Sequence, residues 1–375
     1  MKNLSLKFIV AITIGFVFSC ASDIHENFLK CLHFHNSTSI SNVVYTKSSS
    51  AYDSLLHFSI QNLRFSSNNI PKPLVIVTPL QPCHVQATVI CSQRHGLQIR
   101  IRSGGHDFEG ISYVSQVPFV IIDFINYRNI QVDLQDRTAW VQVGATVGEL
   151  YYSIATKTST LAFPAGVCPT VGVAGQFSGG GYGYLLRKYG LAADNIMDAH
   201  IIDVKGRFLD REAMAKSDYV KHPIPESGLE GLWRLFYEDG GKGVLMVIFP
   251  FGGRMGEIPE SEIPFPHRAG VLYQIQYAVH WEEKGDEVAQ RHIHWIRKLY
   301  SYMEPFVSKS PREAYLNYRD LDIGVNNIHG YTSYEQASIW GFKYFKNNFN
   351  RLAHVKSKVD PLNFFRYEQS IPSLM

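Results

Sequence analysis

Two glycine-rich stretches constrain this chain more than any other feature. They are Arg102-Ser-Gly-Gly-His-Asp-Phe-Glu-Gly110 and Gly166-Val-Cys-Pro-Thr-Val-Gly-Val-Ala-Gly-Gln-Phe-Ser-Gly-Gly-Gly-Tyr-Gly183. Glycine lets a backbone approach a ligand closely and turn its amides toward it. The first stretch holds His106 and the second Cys168. Imidazole and thiolate are both nucleophiles. The pair therefore predicts a group cradled by two loops and also held covalently. The plainer alternatives are a turn-capping histidine and a small buried thiol. A flexible linker is a poor reading of the second stretch, because Val171, Val173, Ala174, Phe177, Tyr182 and Tyr184 interleave its glycines.

The flanking pattern places the first loop. Leu74 to Thr78 is a short β-rich run, Pro82 opens a helix that Gly96 ends, and Leu97 to Arg102 is a second strand. This βαβ unit puts Ser103-Gly-Gly-His at the carboxyl end of a strand, where ligands bind in α/β sheets. A helix is expected over 48–64, strands at Phe119 to Phe124 and Thr138 to Val143, and a helix from Thr146 to Thr156. Polar residues 211–228, with Pro223 and Pro225, read as a loop or boundary. Gly243 to Phe249 and Val271 to Trp281 alternate like strands, and Asp286 to Met303 is an amphipathic helix. One last helix opens with the capping box Ser333-x-x-Gln336 and carries Phe342, Phe345, Phe349 and Leu352.

The 375 residues are 45% hydrophobic and 18% charged, which is globular and long enough for two domains. A net charge of +3 without like-charge blocks argues against a nucleic-acid partner. Lys2 and Lys7 precede the apolar run Phe8 to Phe18, followed by Ser19, Ala21 and Ser22. That is a secretory signal pattern over 1–22, too short to span a bilayer; the alternative is a buried first helix. Export would place the cysteines in an oxidising compartment. The expected disulfide is Cys31–Cys91, tying the first mature helix to the one before the first glycine loop. Cys83–Cys91 or unpaired buried thiols are the alternatives. Asn36-Ser-Thr is a glycosylation sequon.

Taken together, these residues resemble the plant berberine-bridge-enzyme-like FAD-linked oxidases of the vanillyl-alcohol-oxidase superfamily. The likeness rests on both glycine loops, Gln61-Asn-Leu-Arg64, Phe251-Gly-Gly-Arg254, Asn317-Tyr-Arg-Asp320, Tyr344-Phe-Lys-x-Asn-Phe and Asp360-Pro361. It implies an α+β fold. A two-part FAD-binding domain of the VAO/PCMH type covers 23–212 and is completed by 311–375. A substrate domain of antiparallel sheet with a covering helix lies at 213–310.

The resemblance also implies roles. His106 and Cys168 stand where family members bond the flavin at C8α and C6, giving bicovalent FAD. Ser103, Gly104, Gly105, Asp107, Gly172, Gly175, Ser178, Gly179, Gly180 and Val204 are the further cofactor-binding positions. Tyr318, Tyr182 and Gln276 are the catalytic candidates, with Tyr318 a base or part of one. Gln276 replaces a glutamate base of the bridge-closing members. Gln274 replaces a lysine of some alcohol-oxidising relatives, which leaves Tyr318 less acidic. Val171 matches a valine that leaves a path for O2, favouring an oxidase over a dehydrogenase. No metal is implied.

One departure stands beside the matches. After Asp210 the family continues into a third glycine-rich flavin contact and much of the substrate domain. Here Arg211-Glu-Ala-Met-Ala passes directly to Lys216-Ser-Asp-Tyr. A large internal piece is missing at a seam near 214–217. The expected consequences are open sheet edges, a cleft short of one wall, and weak folding or weak flavin retention. The leading reading is a secreted or vacuolar monomeric enzyme, not bound to membrane. It takes hydride from an alcohol carbon of a monolignol, sugar or specialised metabolite and passes electrons to O2. The runners-up are oxidative cyclisation of an alkaloid or terpenophenol, a catalytically inactive truncated isoform, and a secreted saccharide-binding protein.

Overall fold

The computed structural model describes residues 24–35, 40–67, 69–205, 208–209, 218–279, 286–327 and 330–374. The signal-like segment, Asn36 and the seam at 214–217 lie outside the described residues.

The first sheet contains β1 (Val44–Thr46), β2 (Val75–Val77), β3 (Gln98–Arg102) and β4 (Phe119–Asp123) in the order β1-β2-β4-β3. β2 and β3 both run parallel to β4, so the βαβ unit closes with one strand between its two ends. All five residues of β4 are buried, because both faces of the sheet are covered. On one face Val75, Val77 and Val120 pack with Phe28 and Leu32 of α1 (24–35) and with Ala87 and Cys91. On the other, Ile76, Phe119 and Ile121 pack with Tyr52 and Leu56 of α2 (Tyr52–Phe58) and with Tyr113. α3 (Pro82–Arg94) has proline at its first turn, where a missing N–H is harmless. The Cys31–Cys91 disulfide joins α1 to α3, as expected.

β3 inverts the usual burial. Gln98, Arg100 and Arg102 are buried, while Ile101 is 53% exposed. Each arginine has a specific carboxylate partner, although Arg100 Nε and Nη1 donate to nothing among the described residues. Arg102 donates to Asp123 at 2.7 and 3.2 Å and to the carbonyls of Leu55 and Leu56, and Arg100 donates to Glu368 at 2.9 Å. This anchors the strand end from which the first glycine loop leaves.

β5 (Ile130–Asp133) and β6 (Thr138–Val141) form an antiparallel pair, followed by α4 (Val147–Ala155) with a Thr146–Glu149 capping box. α5 (Val173–Ser178) and α6 (Leu186–Tyr189) lie within and after the second glycine stretch, and β7 (Ile201–Ile202) pairs with β8 (Phe208–Leu209).

The second sheet is antiparallel, with β9 (Asp218–Val220), β10 (Val244–Pro250) and β11 (Tyr273–Val279) in the order β10-β11-β9. One face, with Val220 and Ile275, packs on Leu232 and Leu235 of α7 (Glu226–Phe236). The same face meets Trp295, Leu299 and Met303 of α9 (Asp286–Met303), beyond the short α8 (Arg254–Glu257). Its other face, with Tyr219, Val247 and Phe249, joins a large aromatic core with α10 (Tyr334–Phe345) and α11 (Asn348–Val359). Leu245 and Ile248 on the edge strand β10 are about half exposed, at 46% and 51%.

Four expectations need correction. The helix expected over 48–64 ends at Phe58 and is followed by a separate 3₁₀ turn, Leu63–Phe65. Residues 211–228 are not all loop, because Pro225 sits at the cap of α7, where its extended backbone starts a helix. The final helix is two: at Lys346 the chain takes φ 44°, which breaks α10, and α11 then turns Phe349 back onto Trp340 and Phe345. The second sheet also keeps two covering helices, α7 and α9, rather than one.

Candidate active site

The two glycine stretches meet backbone to backbone. A Cβ on Gly104 would lie 2.4 Å from the Gly172 nitrogen, and one on Gly172 would lie 2.1 Å from Ser103 Oγ. Gly105 has φ +69°, and a Cβ there would lie 1.8 Å from the Ser59 carbonyl oxygen. These glycines are therefore dictated by loop–loop packing as well as by any ligand. Ser103 Oγ donates to the Val143 carbonyl at 2.6 Å, tying in a third loop.

His106 lies in this junction. Burial pushes its pKa below the usual imidazole value, opposed by a hydrogen bond with the Thr170 backbone. The ring is neutral near pH 7, and its Nε2 is buried without a hydrogen-bond partner. Cys168 is exposed, in a turn where the Val171 amide donates to the Cys168 carbonyl at 3.3 Å. That turn is fixed to α4, since Val147 and Gly148 donate to the carbonyls of Val171 and Pro169 at 2.9 Å. Val171 is half-buried there.

Tyr182 and Tyr318 come together from positions far apart in the chain. The Tyr182 hydroxyl donates to the Tyr318 hydroxyl at 2.8 Å. Tyr182 packs against Phe249 and Tyr315, with centroids 4.6 and 4.8 Å away. Burial pushes both phenols well above the ordinary tyrosine value, and the bond from Tyr182 partly opposes this at Tyr318. Cys168 also acts electrostatically on Tyr318, so the tyrosine pair lies beside the second loop. Tyr318 is thus a neutral phenol near pH 7, consistent with Gln274 in place of a lysine.

Gln276 lies on β11 opposite Val247, which packs against the Tyr182–Tyr315 core. Gln274 is two residues away on the same strand face and fully buried, opposite Phe249 and Tyr219. Asp107 Oδ1 accepts from the amides of Glu109 and Ile111 at 3.0 and 3.1 Å. Gly175 and Ser178 lie on α5, Gly179 ends that helix, and Gly180 packs against Phe265. Val204 is buried just after β7.

Sequence reasoning missed Tyr315 and Asn317. The Gly181 amide donates to the Tyr315 hydroxyl at 3.1 Å, and Asn317 Nδ2 donates both to that hydroxyl and to the Gln176 carbonyl at 3.1 Å. Together they stitch the second glycine stretch to the segment carrying Tyr318. The only local signal was the spacing of Tyr315 and Tyr318.

The residues present fit a covalently held flavin. His106 offers an unpartnered buried nitrogen, Cys168 an accessible thiol, and among the described residues the amides of Gly104, Gly105 and His106 donate no hydrogen bond. Such a run of amides suits a phosphate group.

Comparison with known proteins also points to FAD. Residues 73–211 match the FAD binding domain family, and 314–372 match the family described as berberine and berberine like. Cannabidiolic acid synthase-like 1 of Cannabis sativa is 39% identical, with 93% of each chain covered. Tetrahydroberberine oxidase of Berberis wilsoniae is also 39% identical, with 93% of this chain and 94% of that one covered. The structure of BBE-like 28 from Arabidopsis thaliana superposes with a TM-score of 0.87 at 35% identity, covering 93% of this chain and 100% of that one. Phl p 4, a grass pollen allergen with glucose dehydrogenase activity, superposes with the same score and coverage at 34% identity. The alignment with the Cannabis protein runs over 512 positions, whereas this chain has 375 residues. That relative therefore carries a long stretch with no counterpart here. With both glycine loops, the tyrosine pair and the two family matches in place, the chain belongs to the berberine bridge enzyme-like family of FAD-linked oxidoreductases.

Proposed function

We propose that the chain carries FAD bonded to both His106 and Cys168 and oxidises an alcohol carbon of a small sugar or phenolic substrate. The hydrogen-bonded Tyr182–Tyr318 pair, buried beside Cys168, carries this reading. Bound FAD supplies the acceptor for the substrate's hydride. His106 and Cys168 would hold the flavin through one C–N and one C–S bond, each formed in place of a flavin C–H and a side-chain N–H or S–H, with O2 as the two-electron acceptor that leaves as H2O2. A neutral His106 keeps its lone pair for that bond. Ser103, Gly104, Gly105, Asp107, Gly172, Gly175, Ser178, Gly179, Gly180 and Val204 shape the rest of the cradle.

At the substrate, Tyr318 receives a hydrogen bond from Tyr182, so its own hydroxyl is directed away from Tyr182. It binds the substrate oxygen and, once ionised, accepts the alcohol proton while Tyr182 stabilises the phenolate. Gln276 hydrogen-bonds the substrate without removing a proton. This favours simple oxidation over bridge closure. Val171 leaves O2 a path. The disulfide and the N-terminal pattern support export.

The stretch present only in the relative favours a second reading, an inactive short form that holds flavin weakly. We place the missing piece between the FAD-binding match ending at 211 and β9. Anaerobic mixing with glucose, coniferyl alcohol and tetrahydroberberine separates the readings. Bleaching of the flavin absorbance by an alcohol, with H2O2 on admitting air, supports the first. Bleaching only by the alkaloid supports oxidative cyclisation or amine oxidation. No bleaching by any of them supports the short inactive form.

A further inference from the structure

Three consecutive positions of the first glycine loop meet the segment that carries Tyr318. Asp107 Oδ2 faces Arg319 Nε at 3.5 Å. Phe108 stands edge-on to Tyr318, with centroids 5.9 Å apart. Glu109 lies beside the Leu321 backbone and pairs with Arg64 at 2.8 Å. The two oxygens of Asp107 therefore do separate jobs. Oδ1 holds the turn through the Glu109 and Ile111 amides, and Oδ2 looks toward a guanidinium.

Arg319 is placed from behind. Its guanidinium lies over the Tyr367 ring, 5.1 Å from the centroid. Gln369 Nε2 donates to the Asp320 carbonyl at 2.9 Å and to the Gly324 carbonyl at 2.7 Å, which fixes the backbone around it. Its side chain is only 11% exposed, and its Nε and Nη1 make no hydrogen bond among the described residues. A buried cation in that state depends on its nearby carboxylate. The Cys168 turn has a different anchor, the N-terminus of α4.

From this juxtaposition we infer that Arg319 is a positioning residue for His106. Through Asp107 it holds the first glycine loop in the shape that lets the imidazole bond the flavin, and it does not govern attachment at Cys168. The inference rests on the bicovalent FAD reading. It also makes the C-terminal segment a partner in loading the N-terminal loop.

The test uses the full chain in two single-link backgrounds, Cys168→Ala reporting the His106 bond and His106→Ala reporting the Cys168 bond. Covalent flavin is read as visible absorbance of acid-washed, denatured protein. Arg319→Ala lowers it by about tenfold or more in the Cys168→Ala background and by less than about twofold in the His106→Ala background. Arg319→Lys, which keeps the charge opposite Asp107, restores a large part of it. Equal loss in both backgrounds, or loss in neither, overturns the inference. If the unmodified chain and both backgrounds hold no flavin, the FAD reading fails for this chain. The inference is then decided by diethyl pyrocarbonate labelling of His106 followed by peptide mass. Faster labelling in Arg319→Ala supports the positioning role, and an unchanged rate overturns it.

Discussion

Replacing Asp218 with alanine probes how firmly β9 is seated against the segment leading to Tyr318. Asp218 opens β9 and is fully buried. Its Oδ1 and Oδ2 accept from Arg312 Nε at 2.9 Å and Nη2 at 2.6 Å, a two-pronged pair. Nη2 also donates to the Tyr300 carbonyl at 2.8 Å, and the guanidinium lies 3.3 Å from the Tyr300 ring centroid. Asp218→Ala leaves that guanidinium, 15% exposed, without its carboxylate. Breaking one partner of such a pair costs about 3–5 kcal/mol. The double variant Asp218→Ala/Arg312→Met removes the stranded charge and regains about 2 kcal/mol of this. Urea unfolding followed by tryptophan fluorescence measures both, compared by midpoint at unchanged slope. A single variant within about 1 kcal/mol of the parent, or a double variant no better than the single, would mean that this buried pair does not form. In that case β9 does not seat against α9 and the segment leading to Tyr318.

The tyrosine pair makes a kinetic prediction. Tyr318→Phe lowers oxidation by about 10²–10⁴-fold, and Tyr182→Phe has a smaller effect that moves the pH profile upward, because the bond from Tyr182 favours the Tyr318 phenolate. Burial raises the Tyr318 pKa, so the phenolate fraction and the rate rise about tenfold per pH unit between about pH 7 and pH 9; a flat profile removes Tyr318 as the base. Glu313 predicts acid sensitivity. Burial pushes it up, but hydrogen bonds from His267 and Lys221 and the Lys346 charge more than offset this and hold it at about 2, below the ordinary 4.5. Its contribution, roughly 3 kcal/mol, is fully present above pH 4.5 and is lost as pH falls toward 2. Glu313→Gln removes that slope from stability measured against pH. Reducing Cys31–Cys91, which are 60 residues apart, costs about 4 kcal/mol, readable as a lower urea midpoint in dithiol.

Much of the first sheet was legible because its signals are local. The apolar run at β4, Pro82 before α3 and Gly96 after it lie within a few residues of what they specify. The Ser333–Gln336 capping box was equally local. The site was half legible. His106 and Cys168 stood out because a nucleophile inside a glycine loop is chemically conspicuous. Tyr315 did not, since its meaning comes from the Gly181 amide, 134 residues earlier in the chain. Burial of Arg100 and Arg102 with exposure of Ile101 was invisible because Glu368, Asp123 and the α2 carbonyls that pair with them are distant in sequence. α7 was hidden by its own start signal, since Pro225 reads as a loop residue until the helix behind it is seen. The break at Lys346 follows from packing Phe349 back onto α10, which no local propensity announces.

The central claim is that the two glycine loops of this short chain still assemble into a covalent flavin cradle. It is tested most directly by expressing the chain in a secretory host, precipitating the purified protein with acid and recording visible absorbance of the redissolved pellet. A covalent cradle leaves flavin absorbance with the protein, and it is lost only when His106 and Cys168 are both replaced. A colourless pellet from soluble, folded protein would contradict it.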